Sequence, residues 1–300
     1  MTVELSSTHP AAAAVTAPAT RTYWQNVRRR LLRDKATVLA GIVLVVIVLL
    51  AVFAPYVSSA DPYATRIIMR LKPFGTPGHW LGTDELGRDM WARIVHGGRI
   101  SLLAGFVPVL VALLIGGAVG VLAGYRGGAV GNTIMRVIDI FYAFPSVLLA
   151  IGICAAIGPG LTNSMIALSV VFIPPIARIT ESVTSQVRGY DFIEAGRASG
   201  TTTRQIIRHH VLINIAGPVL VYATSLVSIS IILSAGLNVL GLGVSPPIAE
   251  WGVMLNALRQ AIYVQPWVAV APGFMILLTS MCINLVSDGL RGAMDVRLNT

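Results

Sequence analysis

The sequence predicts an all-α membrane protein of six transmembrane helices with both termini on the cytoplasmic side. Three observations carry this reading. The 300 residues are 55% hydrophobic and only 12% charged, with a mean hydropathy of +0.77; a soluble domain carries about 25% charged residues. Uncharged runs occupy residues 36–60, 100–125, 140–177, 211–249 and 260–287. Each is long enough to cross a bilayer, which takes about 20 apolar residues in a helix. Fifteen of the 22 Lys and Arg then fall on one side of the implied topology: in 21–35, between the second and third spans, in 178–210 and after Gly289. That side is cytoplasmic by the positive-inside rule. The net charge of +9 thus reports topology and does not call for nucleic acid.

Residues 1–20, rich in Ala, Thr and Pro, read as a disordered cytoplasmic tail. In 21–35, Trp24, Val27 and Leu31 share a helix face amid Arg28, Arg29, Arg30 and Arg33, the pattern of a helix lying in the headgroup plane. A cleaved signal peptide is the rival, since Ser58-Ser-Ala60 follows the first apolar run. That run starts late and is too long for a signal core, so it reads as an uncleaved span. The 38-residue run 140–177 is divided by Gly158-Pro-Gly-Leu-Thr-Asn163 into two spans. The run 211–249 holds one span followed by Gly241-Leu-Gly-Val-Ser-Pro-Pro247. The spans expected are 36–56, 101–124, 136–157, 161–179, 213–235 and 267–287, with 57–99 a long extracellular loop and 180–212 a cytoplasmic one. Arg66, Arg70, Lys72, Arg88, Arg93 and Arg99 strain the rule in 57–99, but long folded loops translocate largely regardless of charge. Gly116, Gly120 and Gly124, four residues apart, allow close helix approach, within this chain in preference to a dimer seam.

No catalytic constellation stands out: HExxH, GxxxxGK[ST] and GxSxG are all missing. His9, His79, His96, His209 and His210 scatter over both sides, so neither a metal site nor a cofactor is expected. Cys154 and Cys282 lie in apolar runs and read as small buried hydrophobes. Asp139 and Asp288 fall at span borders, where pairing with Arg136 and Arg291 is a better reading than the facing carboxylates of an intramembrane protease. Pro145, Pro174 and Pro175 are candidate breaks in spans three and four, as a secondary transporter would use, but no acid sits beside them at mid-depth. The spans therefore lack an ion relay of their own.

The informative segment is the loop from Arg188 to Leu212. Asp191 three before Glu194 reads as a capping box opening a short helix, Gly200 as its left-handed end, and Thr202 with Gln205 as a second capping box. Two capped helices around one glycine describe a docking device.

This loop resembles the Glu-Ala-Ala motif of binding-protein-dependent ABC importer permeases, here Glu194-Ala195-Gly196 with Gly200. His79-Trp-Leu-Gly-Thr-Asp-Glu-Leu-Gly-Arg-Asp89, Arg99-Ile-Ser-Leu-Leu103, Ala143-Phe-Pro-Ser146, Gly158-Pro-Gly-Leu-Thr162, Leu240-Gly-Leu-Gly-Val244 and Asp288-Gly-Leu-Arg291, with Asp295 and Arg297, resemble the dipeptide/oligopeptide/nickel permease family, C-type subunit. The likeness runs from about Arg28 to Leu298. Gly196 stands where the motif has a second Ala, and Ile213 where it has Pro; Gly in a helix costs roughly 1 kcal/mol relative to Ala. The resemblance implies the type I ABC importer permease fold and half of a peptide pathway, with a nickel-chelate pathway as the alternative. It implies a homologous B-type permease subunit, two cytoplasmic ATPases that perform the hydrolysis, and an extracellular substrate-binding lipoprotein. Asp191, Glu194, Ala195, Gly196, Gly200 and Thr202 would couple to the ATPases. Trp80, Asp84, Arg88 and Asp89 would belong to the surface facing the binding protein.

The topology has a direct test. Single cysteines at Thr76 and Thr202, in a background lacking Cys154 and Cys282, are expected to react with an impermeant thiol reagent from opposite sides of intact cells. Equal labelling of the two would overturn six spans.

Overall fold

The structure, a computed structural model, describes residues 23–294. The tail expected at 1–20, together with Asp295 and Arg297, lies outside the described residues. Among the described residues every regular element is helical, with isolated bridges at Thr76–His79 and Thr83–Asp89. The chain opens with α1 (Tyr23–Arg33), in which Arg28 and Arg29 are exposed and Val27 is buried. Asp34 then caps α2 (Lys35–Val52), accepting the Ala36 N–H at 3.1 Å. No face of α2 is polar, and Leu39, Ile42, Val45 and Leu49 stay exposed; an all-round apolar helix with bare leucines belongs in lipid.

A single turn, α3 (Ala54–Val57), leads into irregular chain, and α4 (Met90–Arg126) begins where Asp89 accepts the Ala92 N–H at 2.7 Å. This helix starts well before the expected boundary at 101. Its 37 residues span about 55 Å, far more than the hydrocarbon core, so its first turns stand outside it. At Gly116, Gly120 and Gly124 it meets α7 (Leu161–Arg188) backbone to backbone. A Cβ on Gly120 would lie 2.6 Å from both the Ala177 carbonyl oxygen and the Thr180 Cβ. Along this line 116 faces 173–177, 120 faces 177–181 and 124 faces 181–184. Residue numbers rise together, so α4 and α7 run parallel.

Parallel neighbours require the intervening chain to cross the whole molecule. It does so as α5 (Gly128–Tyr142) and α6 (Ser146–Ile157), bent by 82°. The expected single helix 136–157 is thus broken. Pro145 lacks an N–H, its ring excludes the preceding turn, and the residue before it is driven out of helical conformation. The pair still counts as one crossing. It leaves the end of α4, beside Tyr125, and arrives at Gly160, whose N–H meets the Leu242 carbonyl 3.4 Å away at the far end of α10 (Leu212–Val239). Pro174 and Pro175, in contrast, do not break α7. The glycine line grips α7 on both sides of them, whereas Phe144 is exposed.

After α7 come α8 (Asp191–Ala198) and α9 (Thr203–Ile206), then a π turn, Ile207–Val211, that runs into α10. α11 (Trp251–Ala257) and α12 (Pro266–Met294) complete the fold. Five helices are long and apolar enough to cross a membrane and the bent pair is the sixth. The central core joins α4, α6, α7 and α10 through Val109, Cys154, Leu168, Phe172, Ile176 and Leu226. A polar seam holds α12 to α10, with Ser228 donating to Asn284 Oδ1 at 2.7 Å and Ser287 to the Val221 carbonyl at 3.0 Å. Such hydroxyls are satisfied between helices where no water is present. Cys154 and Cys282 are both free. Asp139 pairs with Arg178 of α7, not with the expected Arg136.

The glycine line makes a graded prediction. Gly120→Val is expected to cost about 1–3 kcal/mol or more through overpacking. Gly117→Ala, one residue away and facing open space, is expected to be neutral. Thermal unfolding of the purified protein distinguishes the two; equal Tm values would show that the contact is loose.

Candidate functional site: the two ends of the bundle

At one end, α8, α9 and the turn between them form a compact unit. Ile193 and Ile206, both fully buried, seat it against Tyr125 of α4, Val187 of α7 and Val211. Gly200, at φ +77°, ends α8: its N–H reaches the Arg197 carbonyl at 3.0 Å, and the Thr201 N–H reaches the Gly196 carbonyl at 3.1 Å. These are the paired bonds of a Schellman motif. A Cβ on Gly200 would meet nothing, so the backbone angle alone demands glycine. Thr202 then caps α9 in a reciprocal box with Gln205, whose Oε1 accepts the Thr202 N–H at 3.2 Å.

Asp191 is not the cap of α8. Tyr190 occupies that position without a side-chain bond, and Asp191 is the first helical residue. Its charge still sits where the helix dipole favours it. Both Asp191 and Glu194 are exposed, beside the tilted and half-exposed rings of Tyr190 and Phe192, 5.7 Å apart. Ala195 is exposed too. A Cβ on Gly196 would lie 3.9 Å from Ile206, an ordinary contact, so alanine fits there and the glycine is a local loosening. Ile213 is 70% exposed.

At the opposite end, residues 58–89 fold around buried polar groups. Asp84 accepts the backbone N–H groups of Leu86 and Arg88, each at 2.9 Å. It also pairs with Arg88 Nε at 2.6 Å and lies 3.4 Å from Arg93 Nε. Arg93 donates to the Pro62 carbonyl at 3.1 Å, and Asp89 meets His79 Nδ1 at 2.8 Å. Asp84, Arg88 and Asp89 are therefore buried and build the loop from within, whereas Trp80 is 74% exposed and rests against Trp91. Gly87, at φ +73°, lets the chain pass so close to Arg66 that a Cβ would overlap its carbonyl oxygen.

A third buried carboxylate at this end was missed in the sequence. Glu250 caps α11, accepting from Val253 N–H at 2.8 Å, Asn238 Nδ2 at 2.9 Å and Ser101 Oγ at 2.8 Å. It thereby ties α4, α10 and α11 together beneath the fully buried Trp251, whose indole N–H reaches the Ile94 carbonyl at 2.9 Å. The available signal was a lone acid between two long uncharged runs. Burial pushes the Glu250 carboxyl above the usual carboxylate range, against the hydrogen bonds from Val253, Ser101 and Gly252. Between the ends, Phe141, Tyr142, Phe144, Pro174, Pro175 and Leu226 line a cavity of ≈ 280 Å³ at the inner bend of α5–α6.

The raised Glu250 group has a measurable consequence. A carboxyl whose folded pKa exceeds its unfolded one costs stability when ionised and recovers it as pH falls through the folded value. Glu250→Gln is expected to be at least as stable as wild type at neutral pH, with the wild type gaining on it as pH falls toward the ordinary carboxylate range. A difference in Tm that stays constant with pH would overturn this assignment.

Comparison with known proteins adds the context of these two ends. Residues 116–300 match the family described as "Binding-protein-dependent transport system inner membrane component", and residues 22–73 match "N-terminal TM domain of oligopeptide transport permease C". A dipeptide transport system permease protein, DppC, of Alkalihalophilus pseudofirmus is 39% identical over 92% of this chain and 91% of its own length. A glutathione transport system permease protein, GsiD, of Pectobacterium atrosepticum is 39% identical over 93% of each chain. A solved structure of the MetNI methionine ABC transporter in an inward-facing conformation aligns with 68% of this chain and 97% of that one, at TM-score 0.55 and 25% identity. These matches span the helical bundle and both of its elaborated ends. This multi-pass bacterial inner-membrane protein belongs to the permease subunits of binding-protein-dependent ABC importers.

Proposed function

We propose that this chain forms half of the translocation pathway of an ATP-driven peptide importer and carries the force that opens it. The observation that supports this best is α8, a short helix with Glu194 bare on its surface and its angle to α9 set by Gly200. The family implies ATPase and substrate-binding partners and is not itself catalytic. In this reading two cytoplasmic ATPase subunits perform the hydrolysis and each receives one such loop. A homologous B-type permease subunit encloses the pathway opposite this chain, and an extracellular lipoprotein delivers substrate to the 58–89 end. Both termini are cytoplasmic. The substrate class follows the relatives, whose names specify dipeptide and glutathione transport, and this favours peptides over a nickel chelate.

The mechanism follows from how little slack the loop contains. α8 is joined to α7 by Gly189 and Tyr190 alone, and α9 continues through the π turn into α10. A displacement of α8 by a closing ATPase dimer therefore moves α7 and α10 as rigid bodies. α7 carries Pro174 and Pro175, which line the cavity at the bend of α5–α6. Moving α7 along the glycine line changes the width of that cavity, which makes this the gate. Trp80 is the exposed contact on the binding-protein side, and Asp84, Arg88 and Asp89 hold the surface beneath it.

Two variants separate charge from geometry. Glu194→Gln is expected to weaken ATPase association by roughly 2–5 kcal/mol if the carboxylate is desolvated against a basic surface, with normal insertion of the permease. Gly200→Val is expected to abolish transport while the ATPases stay partly bound. Wild-type uptake by both variants would reduce the loop to a connector.

A further inference from the structure

We propose that the flank of this bundle beside the coupling end holds one anionic phospholipid, with an acyl chain between α4 and α10 and its phosphate against Arg126 and Arg208. The site is a cavity of ≈ 590 Å³ whose walls are almost wholly apolar, formed by Leu113 to Leu122 of α4, Ile207 of the π turn and Leu212 to Leu220 of α10. Leu114 and Leu122 at its rim are exposed, so it opens on the outside of the chain, where a bilayer chain can enter sideways. Its back wall carries Thr180, which is fully buried and whose hydroxyl has no hydrogen-bond partner.

The charge at the mouth selects the headgroup. Arg126 lies one turn beyond Leu122 on the same face of α4, and Arg208 one turn before Leu212 on the chain leading into α10. Both are exposed, and among the described residues neither lies within ion-pair distance of a carboxylate. Arg197, over the Tyr125 ring at 5.3 Å, adds to the same positive end. Arginines with no internal counter-ion above an apolar slot fit a phosphodiester whose headgroup adds no positive charge. The bound lipid would wedge the π turn against α4, at the elbow where α9 becomes α10.

The assembled importer, reconstituted in nanodiscs, tests this with two photoreactive probes of identical acyl chains, a phosphatidylglycerol and a phosphatidylcholine, each with a diazirine at mid-chain. The phosphatidylglycerol probe is expected to label peptides 113–122 and 212–220 roughly tenfold more than the phosphatidylcholine probe, given the contribution of two arginines near an anionic surface. Arg126→Gln combined with Arg208→Gln should erase the preference. Gly117→Leu, where an added side chain meets open space in the cavity, should erase the labelling while leaving Tm unchanged. Equal labelling by both probes would mean ordinary annular lipid and overturn the proposal. So would a preference that survives the double arginine variant, or an absence of labelling because a partner subunit covers the slot.

Discussion

The close approach of α4 and α7 along Gly116, Gly120 and Gly124 is the constraint on which the rest of the bundle depends. With hydrogen in place of side chains, two helix backbones run in register over about two turns, and dispersion between them replaces the hydrophobic drive that lipid does not supply. Because the two helices are parallel, the chain between them has to traverse the bilayer, and α5–α6 does so bent around Pro145. α7 stays one continuous helix through Pro174 and Pro175 where it packs on this line, so a helix with two consecutive prolines still carries a push from end to end. Substitution at the glycines would therefore change the course of three spans, not one contact.

The two ends of the bundle solve opposite problems. Around Asp84, Arg88 and Glu250, charged groups are buried and paired with each other or with backbone and side-chain donors, and Arg93 lies 3.4 Å from Asp84. Buried ion pairs add little net stability but penalise any rearrangement that leaves one charge alone. That end is consequently finished within the chain and holds its shape before any partner arrives. At the α8–α9 end the burial is apolar, through Ile193 and Ile206, and the acids Asp191 and Glu194 remain on the surface. Among the described residues this end presents unpaired carboxylates on a short, seated helix, the arrangement of a surface whose partner is another protein.

What the sequence disclosed about these features follows a physical division. Local rules were legible: Thr202 with Gln205, Gly200 as a left-handed stop and the interruption at Gly158–Gly160 each depend on residues within a turn of one another. The capping role assigned to Asp191 failed because Tyr190 can take the cap position with its backbone alone, leaving the carboxylate inside the first turn. Non-local facts were hidden. Pro145 and the Pro174-Pro175 pair look alike in the sequence, and only the packing of α7 on α4 decides which of them bends the chain. The resemblance places Asp84, Arg88 and Asp89 in the surface facing the binding protein; their burial depends on contacts that Arg93 and Pro62 bring to the loop. Glu250 needed Ser101 and Asn238, which are remote in the chain.

The π turn at Ile207–Val211 had no local signature, yet it explains how the coupling end stays continuous with the bundle. A π turn widens the helix by one residue and shifts the register of its carbonyls. Here side chains cover two of them: Asn214 Nδ2 donates to the His210 carbonyl at 2.6 Å, and His209 Nδ1 lies 3.2 Å from the Gln205 carbonyl. The inserted residue re-aims α9 without ending the helix, so Thr203–Val239 runs as one rod. It turns Ile206 inward onto Ile193 while Val211 and Ile215 keep their seats against Val121 and Tyr125. A regular α-helix through the same residues would rotate one of these two sets out of the core. The coupling loop and the wall of the bundle need different helical phases, and a single π turn reconciles them without adding slack to the lever.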